Sequence, residues 1–322
     1  MRFEKFHSIV DQTDISLFLH PNSHPYDSDL VEINESGKVL GFKSYPHPKK
    51  VDYRNIVNAA LYLINRECLT PDLTSEIVFA DFAKDLFPQL LDKGFLLRGY
   101  LSPEYIKDCG TPERLDKAIE DYKSGKISNS NIRIPQAAVF LDRDGTINQD
   151  SGHLSDVKDL VLFHGVCEAI RKINDAGYKC IVVTNQPVIA RGECSLSELQ
   201  KIHNKLETIL GQQGAFFDRI YYCPHHPDSG FKNEVVELKG PCECRKPSIA
   251  MINSAVEEFN IDLSRSWFIG DTTVDLMTAK NAGIRSILVK TGAAGRDGKY
   301  DVIPDVEMAD LTSAVDFLLN AD

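Results

Sequence analysis

The chain has 322 residues, enough for about two domains at roughly 150 residues each. A composition of 43% hydrophobic and 26% charged residues excludes a wholly disordered protein. A net charge of −11 argues against general binding to the phosphate backbone of nucleic acid, while leaving room for a local basic pocket that takes a small anion.

No apolar run approaches the roughly 20 residues that cross a bilayer. The N-terminal MRFEKFHSIVDQTDISLFLH scatters charges and lacks the apolar core of a secretory signal. The expectation is a soluble, cytoplasmic protein with neither a membrane nor a nucleic acid as partner. Five cysteines, Cys68, Cys109, Cys167, Cys180 and Cys194, stand singly in regular segments. Cys223, Cys242 and Cys244 share one loop-like stretch, which points to a metal rather than a disulfide framework.

In chain order, residues 29–45 alternate as strands around the turn Glu35-Ser36-Gly37. Residues 53–66 read as helical or mixed, and 77–91 and 111–124 as helices. The Ser-, Asn-, Gly- and Lys-rich stretch 123–136 reads as a linker. It separates a first domain, 1–125, from a second, 136–322, across 126–135. Beyond it, strands at 137–142, 179–185, 217–222, 266–270 and 285–290 alternate with helices at 166–176, 196–210, 249–259, 274–281 and 311–319, with Ser195 as an N-cap. Short apolar strands alternating with helices predict an α/β domain whose parallel sheet is covered on both faces. Ligands then lie beyond the carboxyl ends of the strands.

The polar residues at those ends form a coherent set. The first strand runs into Asp142-Arg-Asp144-Gly-Thr, the second into Thr184-Asn185-Gln186, and a later one into Gly270-Asp271 with Asp275 following; Arg245-Lys246-Pro247 precedes a helix. Neighbouring carboxylates repel, and a hard divalent cation such as Mg²⁺ relieves the repulsion through oxygen ligands. Asp271 would complete such a site, and Lys246 and the Thr184 hydroxyl would hold phosphoryl oxygens. A carboxylate can act as a nucleophile, and a second acid can protonate the leaving oxygen and then activate water.

A second constellation is Cys223-Pro-His225 followed by Cys242-Glu-Cys244. Three thiolates and one imidazole make a closed tetrahedral Zn²⁺ set of structural type. His226 is adjacent, and spacing alone does not choose between the two histidines. Arg245-Lys246 follow directly, so a metal-held loop would fix residues that meet phosphate.

In order, Asp142-x-Asp144-Gly-Thr, Thr184-Asn185, Lys246 and Gly270-Asp271-x-x-x-Asp275 resemble the four motifs of the haloacid dehalogenase superfamily of phosphatases. The resemblance implies a Rossmann-like α/β fold without a large cap. It implies Asp142 as nucleophile and Asp144 as general acid/base. Mg²⁺ would be held by Asp142, the Asp144 carbonyl and Asp271, with Asp275 in support. The stretches around Cys223–Pro227, Cys242–Pro247 and Ile189–Gly192 narrow the likeness to the D-glycero-D-manno-heptose 1,7-bisphosphate 7-phosphatases, with histidinol-phosphate phosphatases as the rival. A sugar bisphosphate substrate is thereby implied. Asp150, Ser151, Gly152 and His153 would contact sugar, Thr184, Asn185 and Gln186 would line the phosphate site, and Arg245 would face a second phosphate beside Lys246. Pro187-Val188 replace the Ser-Gly common in that family, which removes one backbone amide and one hydroxyl.

Residues 42–50, 58–65, 81–88 and 105–122 resemble the C-terminal part of sugar-nucleotide nucleotidyltransferases. Asp108 there would match a metal-binding Asp, or else simply shape a turn before a helix capped by Thr111. The Gly-rich phosphate loop of that family does not occur before Phe42, so this would be a partial domain without nucleotidyl transfer. Self-association through residues 1–125 would be one remedy for exposed strand edges. The pairing of the two resemblances implies steps toward a nucleotide-activated heptose.

Overall fold

The computed structural model describes residues 13–48, 51–69, 80–150 and 152–321. The chain divides into two compact units, Met1–Asn131 and Ile132–Asp322.

The first unit carries a mixed sheet of β1 (Ile15–His20), β2 (Leu30–Ile33), β3 (Val39–Lys43), β4 (Val57–Ile64) and β5 (Leu97–Leu101), in the order β3-β2-β4-β1-β5. Among the described residues, β1 and β5 run parallel and the other pairs are antiparallel. The β2–β3 hairpin turns through Gly37 at φ 80, as the alternation around Glu35-Ser36-Gly37 predicted. Residues 53–66, expected to be helical or mixed, hold β4 instead. Asn-Ala-Ala-Leu favours a helix locally, but pairing with β1 on one side and β2 on the other overrides that weak preference. Ala60 sits at φ 55, opposite a register shift between Leu17 and Leu19.

Of the helix expected over 77–91, residues 77–79 lie outside the described residues. The rest is a wide π-type turn, Phe82–Leu86, running into α1 (Phe87–Asp92). Leu86, Phe87 and Leu90 pack on Ile15, Leu17 and Leu19 of the sheet. Thr111 caps α2 (Pro112–Lys123) through the Arg114 N–H at 3.3 Å, with proline at the tolerated first position. The stretch expected to link the domains contains a helical turn, Lys126–Asn129.

In the second unit, β6 (Ala138–Leu141), β7 (Lys179–Asn185), β8 (Arg219–Cys223), β9 (Trp267–Gly270), β10 (Arg285–Val289) and β11 (Val306–Met308) form an all-parallel sheet in the order β11-β10-β9-β6-β7-β8. Helices α3 (Val166–Asp175), α4 (Leu196–Gln212) and α7 (Leu311–Ala321) cover one face, and α5 (Ala250–Phe259) and α6 (Thr273–Ala282) the other. The strand period of two sorts the core. Val139 and Leu141 join Ile170, Ile202 and Leu206, while Ala138 and Phe140 join Ile252, Phe259 and Ala279. Ser195 and Glu198 close a full capping box at the start of α4. The short edge strand β11 was not foreseen. Among the described residues, no helix is long and apolar enough to cross a membrane.

The lone tryptophan, Trp267, shares the buried cluster of Ile170 and so reports unfolding of the second unit. Ile170→Ala is expected to cost about 2–5 kcal/mol in urea unfolding followed by Trp267 fluorescence. Leu196→Ala, at a half-exposed site, should cost less than about 0.5 kcal/mol. Equal costs would contradict the layering.

Candidate active site

The strands β9, β6 and β7 are neighbours, so their carboxyl ends stand side by side. Asp142 follows β6 directly, and its N–H donates to the Ile269 carbonyl of β9 at 3.0 Å. Asp271 follows β9, and Thr184 lies near the end of β7. All three are buried. The Asp142-Arg-Asp144-Gly-Thr turn winds around the Arg143 carbonyl, which accepts N–H bonds from Ile147 at 2.8 Å and Asn148 at 3.1 Å. Gly145 has φ 83, and a Cβ there would lie 2.3 Å from Asp271 Oδ2. Only glycine admits that approach.

Lys246 is the buried hub of the site. Its Nζ donates to Asp142 Oδ1 at 2.7 Å and to Asp275 Oδ1 at 2.6 Å. Asn185 grips its main chain at both ends, accepting from Lys246 N at 3.0 Å and donating to Lys246 O at 3.2 Å. Asp275 is fixed in turn by a capping box with Thr272 at the start of α6. Oxygens of Asp142, Asp271 and Asp275 lie within 4.8 Å of one another.

Three ionised carboxylates against one ammonium leave two negative charges uncompensated in a buried site. Burial, reinforced by the charges of Asp275 and Asp144 and opposed by Lys246, pushes the Asp142 carboxyl up to about 7. Burial together with the charges of Asp142 and Asp275 pushes Asp271 up to about 8. Burial disfavours the charge on Lys246, but the attraction of Asp142 and Asp275 outweighs it and raises its pKa. A divalent cation held among these oxygens would supply the missing charge with the hard ligands it prefers.

Asp144 has a different environment. Arg143, wholly buried, donates through Nη2 to Asp144 Oδ2 at 2.8 Å and to Gln186 Oε1 at 2.8 Å. Gln186 Nε2 donates to Asp144 Oδ2 at 2.8 Å and to Thr184 Oγ1 at 2.9 Å, and Asn148 Nδ2 to Asp144 Oδ1 at 2.9 Å. The Arg143 Nη1 lies 3.2 Å from Nε2 of the buried His203. Burial would raise the Asp144 carboxyl, but the Arg143 charge and these hydrogen bonds overcome it and hold the pKa below its ordinary value. Asn185 and Gln186, expected to line the phosphate site, thus spend their amides on positioning Lys246 and Asp144. Arg143 and Asn148 were missed. The signal for Arg143 was a charge inserted between two acids at the end of an apolar strand.

The other expected residues lie around this centre. Asp150 Oδ1 accepts from Gly152 N at 2.8 Å. Ser151 lies outside the described residues. His153 holds a strained φ of 142, and its Nε2 lies 2.7 Å from Arg191 Nη1. Arg191 also stacks on Phe231 at 4.5 Å and pairs with Glu193 at 2.7 Å. Asp108, in the first unit, accepts from Gly110 N at 2.8 Å and pairs with Arg114, which is the turn-forming alternative.

The cysteine cluster forms at the end of β8. Cys244 Sγ lies 3.1 Å from Cys223 Sγ and 3.2 Å from His225 Nδ1, while Cys242 Sγ is 3.6 Å from both Cys223 and Cys244. A regular tetrahedron with Zn–S near 2.3 Å has edges of about 3.8 Å. The four side chains therefore fit one small, closed metal position. His226 stays outside, accepting from Asp228 N at 3.0 Å with its ring 5.1 Å from Phe231. Burial pushes the Cys223 and Cys244 thiols up, so a bound cation would have to displace their protons. Arg245 Nη1 donates to the His225 carbonyl at 3.1 Å, which links this cluster to the segment carrying Lys246.

Residues 243–314 match the HAD-hydrolase-like family. A D-glycero-D-manno-heptose-1,7-bisphosphate 7-phosphatase of Thermosynechococcus vestitus is 38% identical over 192 residues, 58% of this chain and 96% of that protein. The D-glycero-beta-D-manno-heptose-1,7-bisphosphate 7-phosphatase of Haemophilus ducreyi is 40% identical over 49% of this chain and 85% of its own length. The crystal structure of D,D-heptose 1,7-bisphosphate phosphatase from B. bronchiseptica, described as complexed with magnesium and phosphate, is 31% identical with a TM-score of 0.51, covering 58% of this chain and 100% of that one. With an all-parallel sheet whose strand ends carry Asp142, Thr184 and Asp271 around Lys246, the chain belongs to the HAD-like phosphatases and is a phosphoric monoester hydrolase.

Proposed function

We propose that the chain removes the C7 phosphate of D-glycero-D-manno-heptose 1,7-bisphosphate through an aspartyl-phosphate on Asp142, with Mg²⁺ among Asp142, the Asp144 carbonyl and Asp271, and Asp275 in support. The observation that carries the chemistry is the buried set of three carboxylates around Lys246, which when all are ionised is two charges short of neutrality. The substrate class is carried over from the heptose bisphosphatases to which the chain is similar. Mg²⁺ would supply charge neutralisation for the phosphoryl oxygens.

In this reading an Asp142 oxygen attacks phosphorus in line with the departing sugar oxygen. Lys246 and the Thr184 hydroxyl hold the non-reacting oxygens. Asp144 gives a proton to the leaving oxygen and then takes one from the water that cleaves the aspartyl-phosphate. At rest Arg143 holds the Asp144 carboxyl below its ordinary value; the negative charge of arriving phosphate raises its proton affinity, and the proton it then gives to the leaving oxygen is first taken up from solvent. Arg245 faces the second phosphate, and Asp150, Ser151, Gly152 and His153 the sugar. The cluster of Cys223, His225, Cys242 and Cys244 holds a structural Zn²⁺. The resemblance of the first unit to part of a nucleotidyltransferase supports a place in making nucleotide-activated heptose for a surface glycan.

Phosphate release with Mg²⁺ from both anomers of heptose 1,7-bisphosphate, histidinol phosphate and fructose 1,6-bisphosphate tests the substrate. Preference for one heptose anomer is expected, and preference for histidinol phosphate would replace this reading with the rival one. Asp142→Asn should lower turnover by at least roughly a thousandfold with the circular dichroism spectrum unchanged. Measurable turnover near wild type would refute the covalent route.

The raised pKa values set the pH dependence. Between about pH 4 and pH 8 the metal-free folded state binds more protons at Asp142 and Asp271 than the unfolded chain does. Metal-free stability contributed by these groups therefore falls as pH rises through that window. Mg²⁺ needs the ionised carboxylates, so its stabilising shift in Tm should be small near pH 5.5 and grow to a plateau above about pH 8. A shift independent of pH would place the ion elsewhere.

Elemental analysis should find about one zinc per chain, lost in Cys242→Ser together with a lower Tm. Full zinc retention in that variant would remove Cys242 from the ligand set.

A further inference from the structure

We infer that the loop following β10, residues 291–297, is a positioning element of the divalent-cation site that sets the orientation of the Asp271 carboxylate. The inference rests on the phosphatase reading above and adds residues that lie in none of the strand-end motifs. Three bonds tie the loop to the site. Thr291 Oγ1 donates to the Gly145 carbonyl at 2.6 Å. The Ala293 N–H donates to Asp271 Oδ2 at 2.6 Å. The Gly295 N–H donates to the Asp271 carbonyl at 2.7 Å. A fourth anchor follows at Asp297, which accepts from both the N–H and the hydroxyl of Thr273, each at 2.7 Å. Thr273 opens α6, the helix that carries Asp275. One short loop therefore ties together the Asp142–Thr146 turn, Asp271 and the helix of Asp275.

The fit has no slack at Gly292. Its φ is +54, and a Cβ would lie 2.2 Å from Asp271 Oδ2 and 2.6 Å from the Gly145 Cα. The backbone of the loop presses against the carboxylate, and the Ala293 N–H occupies Oδ2. Oδ1 has a long 3.5 Å contact from the Thr146 hydroxyl. The loop thereby stops rotation of the carboxylate and leaves Oδ1 as the oxygen offered to a cation. A ligand held in its binding orientation loses less freedom when the ion arrives.

Gly298 provides an internal control. It lies just beyond the loop with a positive φ of +61, yet a Cβ there would meet nothing within 4 Å. An alanine at either glycine strains the backbone, but only at Gly292 does it push on Asp271.

The test compares full-length wild type, Gly292→Ala, Thr291→Val and Gly298→Ala. Two readouts are taken: the Mg²⁺ concentration at half-maximal thermal stabilisation, and Mn²⁺ binding followed by electron paramagnetic resonance of the free ion. Gly292→Ala is expected to weaken the ion by roughly 10- to 100-fold in both. Thr291→Val, which adds no bulk and only removes the bond to Gly145, should weaken it in the same direction and carries the test if Gly292→Ala does not fold. Gly298→Ala should stay within about twofold of wild type. At saturating Mg²⁺ the Thr291→Val variant should recover most of its kcat with KM for substrate unchanged. Wild-type metal affinity in both Gly292→Ala and Thr291→Val overturns the inference, as does an equal loss in Gly298→Ala. Absence of any Mg²⁺ response in wild type overturns the catalytic reading itself and is distinguishable because it appears before any substitution.

Discussion

The second unit is organised by an unbalanced buried charge. Lys246 satisfies one oxygen each of Asp142 and Asp275, and Asp271 stands beside them with no ammonium of its own. Removing such groups from water costs several kcal/mol each, so the arrangement persists only where every partner is held in place. Much of the surrounding structure is that support. Asn185 clasps the Lys246 main chain, Thr272 and Asp275 cap each other, and the glycine at 145 lets the first turn approach Asp271 to within a distance no side chain allows. The resulting electrostatic need for a divalent cation is the same need that a phosphoryl group presents when it transfers.

The contrast between Asp142 and Asp144 comes from the same turn. Two acids two positions apart in sequence receive opposite environments because the residue between them, Arg143, points its guanidinium to one side only. Asp144 gains a cation and amide donors, while Asp142 is left with burial and like charges that Lys246 only partly offsets. In the mechanism proposed above, environments that separate the proton affinities of the two carboxylates would divide the roles of nucleophile and proton carrier between them.

Most of this second unit was legible in the sequence, and the reason is local. Its central strands β6, β7, β9 and β10 are short, mostly apolar and buried, and β7 carries its apolar run and its Thr184-Asn185 end in one uninterrupted segment. The first unit was less legible because its strands depend on distant pairing. Neither β1 nor β5 declared itself, and β4 resembled a helix because Ala and Leu say little about a partner thirty or more residues away. At the site, the acids and Lys246 were visible as types at spacings. The tasks of Asn185 and Gln186 were not, since an amide beside a phosphate and an amide clasping a neighbouring main chain look alike in sequence. The loop at 291–297 was invisible for a related reason: its contacts with Asp271 are made by backbone N–H groups and by the absence of a Cβ, and its Thr291 and Asp297 anchors reach residues far away in sequence.

The cysteine cluster solves a mechanical problem that the sheet cannot. Asp142, Thr184 and Asp271 project from strand ends whose positions are set by the ladder and by a packed core. Lys246 instead comes from irregular chain, with a side chain that can adopt many rotamers. Two residues before it, Cys244 joins Cys223 at the end of β8 and His225, while Arg245 returns to the His225 carbonyl. The cluster thus ties the irregular segment to a strand end of the same sheet that carries the acids, and Asn185 makes a second attachment from β7. An ammonium that must sit within hydrogen-bonding distance of two carboxylates is thereby referenced to the frame that positions them. Four side chains drawn from two short segments achieve this without enlarging the hydrophobic core.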